Sequence, residues 1–117
     1  MVTVEEVRRL ALSLPRTTEH LIRDRVKFRV KALVYVAFSR DETLMGFAYP
    51  KEERDALVAS DPSRFLLPSP SDLRYNWVVA RLEALDADEM AELVTDAWTM
   101  VVPQFLVREH LGPSQPG

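Results

Sequence analysis

The chain of 117 residues contains no cysteine and only three glycines. The absence of cysteine excludes disulfide bonds, zinc sites built on thiolates and cysteine nucleophiles. It also fits the reducing conditions of the cytoplasm, which we predict as the location. The three scattered glycines form no glycine-rich loop that would cradle a phosphate group. Thiol chemistry and the common nucleotide-binding loops are therefore excluded.

Long apolar runs and an excess of positive charge are also missing. No stretch approaches the roughly 18 consecutive apolar residues of a membrane span, and the opening MVTVEEVRRL mixes acidic and basic residues, unlike a signal peptide. We therefore expect no membrane partner. The formal net charge of −3 argues against a protein that coats nucleic acid indiscriminately, because such binding depends on summed phosphate neutralisation. A local group of cations is compatible with this balance.

Capping and turn residues mark three helices in a chain of ordinary globular composition. Thr3 and Glu6 form a capping box before the first helix, and Asp86 and Glu89 form another before the last. Pro50 suits the first position of a middle helix, because that position needs no amide donor. The β-type runs between these helices are VKFRV, LVYVAFS, TLMGFAY, RFLL and RYNWVVARL.

The order of these segments is α-β-β-β-α-β-β-α. Runs of strands, rather than regular alternation of strands with helices, indicate the α+β class. We predict a two-layer fold in which helices cover one face of an antiparallel sheet of about five strands. Residues 1–110 are predicted to form a single domain, and residues 111–117 a flexible C-terminal tail.

The segment RDRVKFRVK, residues 23–31, carries a positive residue at every second position. Because successive side chains of a strand point to opposite faces, the cations share one face while Val26, Phe28 and Val30 share the other. We expect the apolar side chains to pack against the helices and the cations to face solvent. The cations, which we call the basic row, are Arg23, Arg25, Lys27, Arg29 and Lys31.

The register of the following hairpin decides what lies beside the basic row. A turn that spans Lys31 to Leu33 pairs Phe28 with Val36 and places the branched residues of the next strand in the core. Tyr35 then lies on the outer face, among the cations. A two-residue turn would expose those branched residues beside the cations, so we favour the longer turn.

Neighbouring cations on one strand face lie about 7 Å apart, within a Debye length at physiological salt, and therefore repel one another. Water and some of the chain's 18 carboxylates offset this repulsion if the strand is simply solvated. An anionic partner offsets it if the strand is a binding site. For DNA, Tyr35 would add stacking and Arg74 a further cation. The alternative partner is a protein or acidic peptide, bound on the open sheet face or by β-augmentation at an edge strand.

The segment TTEH, residues 17–20, has the residue types of a hydrolytic site but not the setting. Thr18, Glu19 and His20 fall in a predicted loop, where such residues usually bond to the local backbone. No oxyanion-hole or nucleophile-elbow motif accompanies them, and the two histidines of the chain are too far apart for metal-ligand spacing. We therefore predict a protein that is not an enzyme and that uses no metal or cofactor.

Five segments carry a resemblance to a known family: TVEEVRRLALSLP, TTEH, FRVKALVYVAFS, PKEERDALVASDPSRF and LRYNWVVARLEALDADEMAELVTDAW. In this order they resemble the MmcQ/YjbR family over residues 1–107. The resemblance implies a two-layer α/β fold similar to frataxin and secretion chaperones, and DNA binding, since members are commonly labelled DNA-binding proteins. The threonine–glutamate pair of the family falls on Thr18 and Glu19, its core phenylalanine on Phe28 and its late tryptophan on Trp77.

The chain departs from the family pattern in two places. At LIRDRVK relatives tend to show a proline and an aromatic–glycine stretch, and at VKAL a glycine–lysine turn is usual. The first departure makes the basic row partly particular to this protein. Trp77 is a further candidate, although tryptophan in a strand is more often a core anchor than a functional ring.

Overall fold

Six strands and four α-helices make up the ordered elements of residues 1–112, the part of the chain that a computed structural model describes. The strands are β1 (Thr17–Ile22), β2 (Arg25–Val30), β3 (Leu33–Phe38), β4 (Leu44–Ala48), β5 (Phe65–Leu66) and β6 (Trp77–Arg81). The helices are α1 (Val4–Ser13), α2 (Lys51–Ser60), α3 (Ala87–Thr99) and α4 (Gln104–Leu111). The strands form one antiparallel sheet in the order β1-β2-β3-β4-β6-β5, which confirms the predicted α+β class.

Helices α1 and α3 cover one face of the sheet and enclose the core. Helix α3 packs against α1, β3 and β4, α1 also contacts β1, and α2 packs against β5 and β6. Alternate residues of the central strands point into this layer, as the predicted apolar face of β2 requires. The bulkiest fully buried side chains are Trp98, Tyr35, Phe28, Phe38, Phe47 and Met45.

Side-chain caps begin the helices. Thr3 Oγ1 accepts a hydrogen bond from the Glu6 amide at 3.2 Å, and Asp86 Oδ1 accepts one from the Glu89 amide at 2.8 Å, so both predicted capping boxes are confirmed. Pro50 lies immediately before α2 rather than at its first position.

The C-terminal helix runs further than predicted. Leu111, assigned to the flexible tail, closes α4, and residues 113–117 of that predicted tail lie outside the described residues. No helix among residues 1–112 is long and apolar enough to cross a membrane.

Strand β1 lies where the TTEH segment was predicted to be a loop, and that prediction was wrong. All six residues from Thr17 to Ile22 pair with β2. The connecting turn consists of Arg23 and Asp24, both with positive φ, 54° and 63°. Such a turn matches the twist of a two-residue hairpin but normally carries asparagine or glycine. Its unusual residues explain why the hairpin was missed, and they place Arg23 in a turn rather than on the strand.

The second hairpin, between β2 and β3, has a two-residue turn of Lys31 and Ala32, because Val30 pairs with Leu33. The longer predicted turn was therefore wrong, and Lys31, with φ 54°, leaves the strand face. The predicted pairing of Phe28 with Val36 nevertheless forms, because the register shifts between Phe28 and Arg29. This shift is a β-bulge, which inserts one extra residue on β3.

Tyr35 is the residue that the bulge inserts, since Val34 pairs with Arg29 and Val36 with Phe28. Its side chain is fully buried, which overturns the prediction that it lies among the cations. The bulge allows Tyr35 and Val36 to enter the core together. The hydroxyl of Tyr35 lies 2.7 Å from Thr17 Oγ1, so it ties β3 to β1 across β2.

Burial of Tyr35 predicts a loss of stability in strong alkali. Desolvation raises the pKa of this phenol to about 12, against the opposing effect of the Thr17 hydrogen bond. Above pH 10 the unfolded chain releases this proton while the folded chain retains it, so the free energy of unfolding falls by about 2 to 3 kcal/mol as the pH passes 12. Urea denaturation of wild type and Tyr35→Phe from pH 9 to 12 measures the difference, because the other titrating groups are common to both. Parallel curves for the two proteins would contradict this assignment.

Candidate nucleic-acid interface

The face of the sheet opposite α1 and α3, here called the open face, is formed by the residues that alternate with the core. The strand register aligns Lys27 with Ala37, Ala37 with Gly46, and Gly46 with Val79 in one row across four strands. Beside this row, Trp77 on β6 pairs with Ala48 on β4. The open face therefore changes from cationic on β2 to small and apolar in the middle and aromatic on β6.

The basic row is divided between β2 and its two flanking turns. Arg25, Lys27 and Arg29 alternate with the buried residues of β2 and lie on the open face, as predicted. Arg23 and Lys31 occupy the two hairpin turns at the ends of the strand. Three of the five predicted side chains thus share a face, and the other two extend the positive charge beyond it.

Within residues 1–112, no carboxylate forms an ion pair with any member of the basic row. Arg25 donates its Nε hydrogen to the carbonyl of Phe38 at 2.9 Å, which orients the side chain without neutralising it. The Nε of Arg29 is buried and has no hydrogen-bond partner in the described structure. Unneutralised cations, one of them partly desolvated, attract anions more strongly than paired surface charges do.

A groove of about 520 Å³ lies on the open face beside the basic row. Arg25 and Lys27 line one side, Ala37 and Ala48 line its floor, and the β6 end contributes Trp77. The remaining lining residues are Leu33, Val34, Asp72, Tyr75, Asn76, Met100 and Val101. The groove combines cations, an apolar floor and an aromatic wall, a combination typical of single-strand nucleic-acid sites.

Gly46 creates the seat for the Trp77 indole. A Cβ atom at position 46 would lie only 2.5 Å from Trp77 Nε1 and 2.8 Å from two ring carbons, closer than van der Waals contact allows. The indole is thus held against the sheet by a residue without a side chain. Trp77 packs partly against the core yet lines the groove, so it is both anchor and surface.

Arg54 of α2 holds the segment that leads into β6. Only 7% of its surface is exposed, and its guanidinium donates to three carbonyl oxygens. The acceptors are Leu73 at 2.9 Å, Tyr75 at 3.0 Å and Trp77 at 3.1 Å. Sequence reasoning missed this residue, because PKEERDALVAS has the pattern of a solvated helix surface and carries no signal for a buried arginine.

The segment fixed by Arg54 presents two of the candidate residues. The Arg74 guanidinium carbon lies 4.8 Å from the centre of the Tyr75 ring, a cation–π contact, and Tyr75 is 52% exposed. Arg74 therefore lies in the loop before β6 rather than on the predicted strand. Asn76 accepts a hydrogen bond from the Lys51 amide at 3.0 Å and so ties this loop to the start of α2.

The TTEH residues do not converge on one site. Thr18 and His20 pair with Arg29 and Lys27 and lie on the open face, where Thr18 Oγ1 is 3.0 Å from His20 Nε2. Glu19 points to the opposite side of β1. There both of its carboxylate oxygens accept from Arg8 Nε at 3.0 Å, and this hydrogen bond raises the pKa of Arg8. The acid and the imidazole are thus separated by the sheet, so they do not form the arrangement that a hydrolytic triad needs.

Replacing Gly46 with alanine tests the seat of the indole. We expect the new methyl group to displace Trp77 and to lower the free energy of unfolding by about 1 to 3 kcal/mol, the usual cost of overpacking. Chemical denaturation of Gly46→Ala, Trp77→Ala and the double variant forms a cycle, in which most of the alanine penalty disappears once the indole is absent. An equal penalty in both backgrounds would show that another contact is responsible.

Replacing Arg54 with methionine tests the clamp. The substitution leaves three carbonyl acceptors without their charged donor, so we expect a loss of about 3 kcal/mol in the free energy of unfolding. Arg9→Met, at an exposed position of α1, is the matched control and is expected to change stability by less than about 0.5 kcal/mol. Urea titrations of both variants make the comparison, and similar small effects would refute the clamp.

Comparison with known proteins gives a family and a fold. The YjbR family model matches residues 12–100 of the chain. The crystal structure of the Deinococcus radiodurans protein DR2400, a DUF419 domain, is similar to this chain with a TM-score of 0.74 at 19% sequence identity. That similarity covers 100% of this chain and 93% of the other. No curated protein matches the chain. Since the family model spans most of the sequence, the chain belongs to the YjbR family.

Proposed function

We propose that the open face binds DNA through its phosphate backbone, with little dependence on base sequence and without catalysis. The observation that carries this proposal is the set of β2 cations that have no carboxylate partner within the described residues. Side chains projecting from a strand reach phosphate oxygens, which position a nucleic acid but carry no sequence information. Arg23 and Lys31, in the turns, supply further contacts at both ends of the strand.

The distribution of charge supports a defined orientation of the partner. The chain as a whole has a formal net charge of −3, so the positive face stands against an otherwise acidic molecule. A local positive region on an acidic protein attracts a polyanion to that region and repels it elsewhere. Binding is therefore expected to be confined to the open face and to weaken steeply as salt is added.

A second candidate function rests on strand β1, which is an edge of the sheet formed by residues 1–112. Leu21, near its end, is 69% exposed, and Ile22 is also exposed. Edge strands with exposed apolar side chains accept extended peptides through main-chain hydrogen bonds. The alternative is thus a protein-interaction module that binds a peptide along β1, beside the basic row.

A paired set of double variants distinguishes the open face from the rest of the surface. Arg25→Gln with Lys27→Gln removes two cations from the groove. Arg9→Gln with Arg108→Gln removes two exposed cations from α1 and α4, so the change in net charge is equal. We expect the groove variant to bind fluorescein-labelled DNA at least tenfold more weakly in low salt. Its slope of log affinity against log salt should be smaller by about 1 to 2, and the control variant should resemble wild type.

Fluorescence anisotropy at several salt concentrations makes this measurement. Equal weakening by both double variants would mean that net charge alone controls binding, and it would remove the open face as the site. If wild type binds no DNA even at low salt, the peptide-binding alternative is favoured. It can then be tested by whether Leu21→Lys abolishes capture of an acidic peptide.

A further inference from the structure

We propose that the groove takes single-stranded DNA, with its phosphates on the basic row and a base stacked on the aromatic wall of Trp77 and Tyr75. This inference rests on the proposed function and goes beyond it by naming the form of DNA. Both rings line the groove, and Tyr75 is the more exposed of the two. Every base has a π-face, so stacking of this kind strengthens binding without selecting a sequence.

The shape of the site favours a single strand over a duplex. The cations lie on β2 and the aromatic wall lies at β6, with β3 and β4 between them. Adjacent strands are about 4.8 Å apart, so the two sides of the groove are separated by about 14 Å. In a duplex the bases are paired and stacked inside the helix, so a phosphate held on β2 leaves no base free to reach β6. An unpaired base can turn away from its backbone and reach an aromatic side chain.

The charges in the groove set the direction of the strand. Arg25 and Lys27 attract the backbone to the β2 side, whereas Asp72 lines the groove together with Tyr75 and repels phosphate from the β6 side. Base edges carry amino and imino hydrogen atoms that a carboxylate accepts. The arrangement therefore places phosphates over β2 and bases towards Trp77, and the reverse orientation would bring phosphate against a carboxylate.

The aromatic wall is held in place before any ligand arrives. Gly46 provides the close seat for the Trp77 indole, and Arg54 binds the carbonyl oxygens of Leu73, Tyr75 and Trp77. A wall that is already ordered loses little conformational entropy when a base stacks on it, so more of the stacking energy appears as affinity.

Three labelled probes of equal length test the inference: oligothymidylate of ten nucleotides, the same backbone with all bases replaced by abasic sites, and a ten-base-pair duplex. We expect oligothymidylate to bind about tenfold more tightly than the abasic strand and the duplex. Tyr75→Ala is expected to remove most of that advantage while leaving affinity for the abasic strand unchanged. Phe105→Ala is the matched control, because Phe105 is 49% exposed on α4, away from the groove.

The fluorescence of Trp77 gives a second readout that does not depend on a variant. Trp98 is fully buried, so a base that stacks in the groove should quench the emission of Trp77. Trp77→Phe identifies this signal by removing it. We expect oligothymidylate to quench the emission and the abasic strand to leave it almost unchanged.

The outcomes separate this inference from the proposed function. Equal affinity for oligothymidylate and the abasic strand, without quenching, would overturn base stacking and leave phosphate binding intact. Tighter binding of the duplex would also overturn the single-strand form. Failure of all three probes to bind would remove the proposed function and this inference together.

Discussion

The bulge at Tyr35 is the constraint on which the two faces of the sheet depend. A regular strand would send Tyr35 and Val36 to opposite sides, and one of them would be exposed beside the cations. The bulge turns both into the core and leaves Val34 and Ala37 to form the floor of the groove. The Tyr35 hydroxyl then bonds to Thr17 and holds the edge strand in place. The composition of the open face follows from this single irregularity.

The charged groups are separated by layer, and this separation gives the open face its character. The ion pairs of the described structure involve Arg8 and Arg64, outside the groove, whereas Arg25 and Lys27 face it without a carboxylate partner. A buried arginine, Arg54, serves the same face indirectly, because it is bonded to carbonyl oxygens and fixes the aromatic wall. The positive groups of the protein thus do two different tasks, one electrostatic and one structural.

Local signals in the sequence predicted several elements correctly. The capping box of Thr3 and Glu6 marks the start of a helix because its hydrogen bonds join residues only three apart. The alternation of Phe28 with its charged neighbours predicted which side of β2 is buried, since the strand period is two. Strand β1 and the burial of Tyr35 were missed, because both depend on hairpin turns whose residues, Arg23 among them, lack the usual turn chemistry.

The sequence by itself determined the α+β class, the family resemblance and the polarity of β2, because these depend on composition and on patterns within short segments. Tertiary structure alone decided which residues share the groove. Trp77 meets Gly46 only through the register of two strands separated by a helix, and Arg54 reaches the loop before β6 across about twenty residues. Contacts between segments distant in the chain depend on how the whole sheet and its helices pack, and no local pattern encodes that geometry.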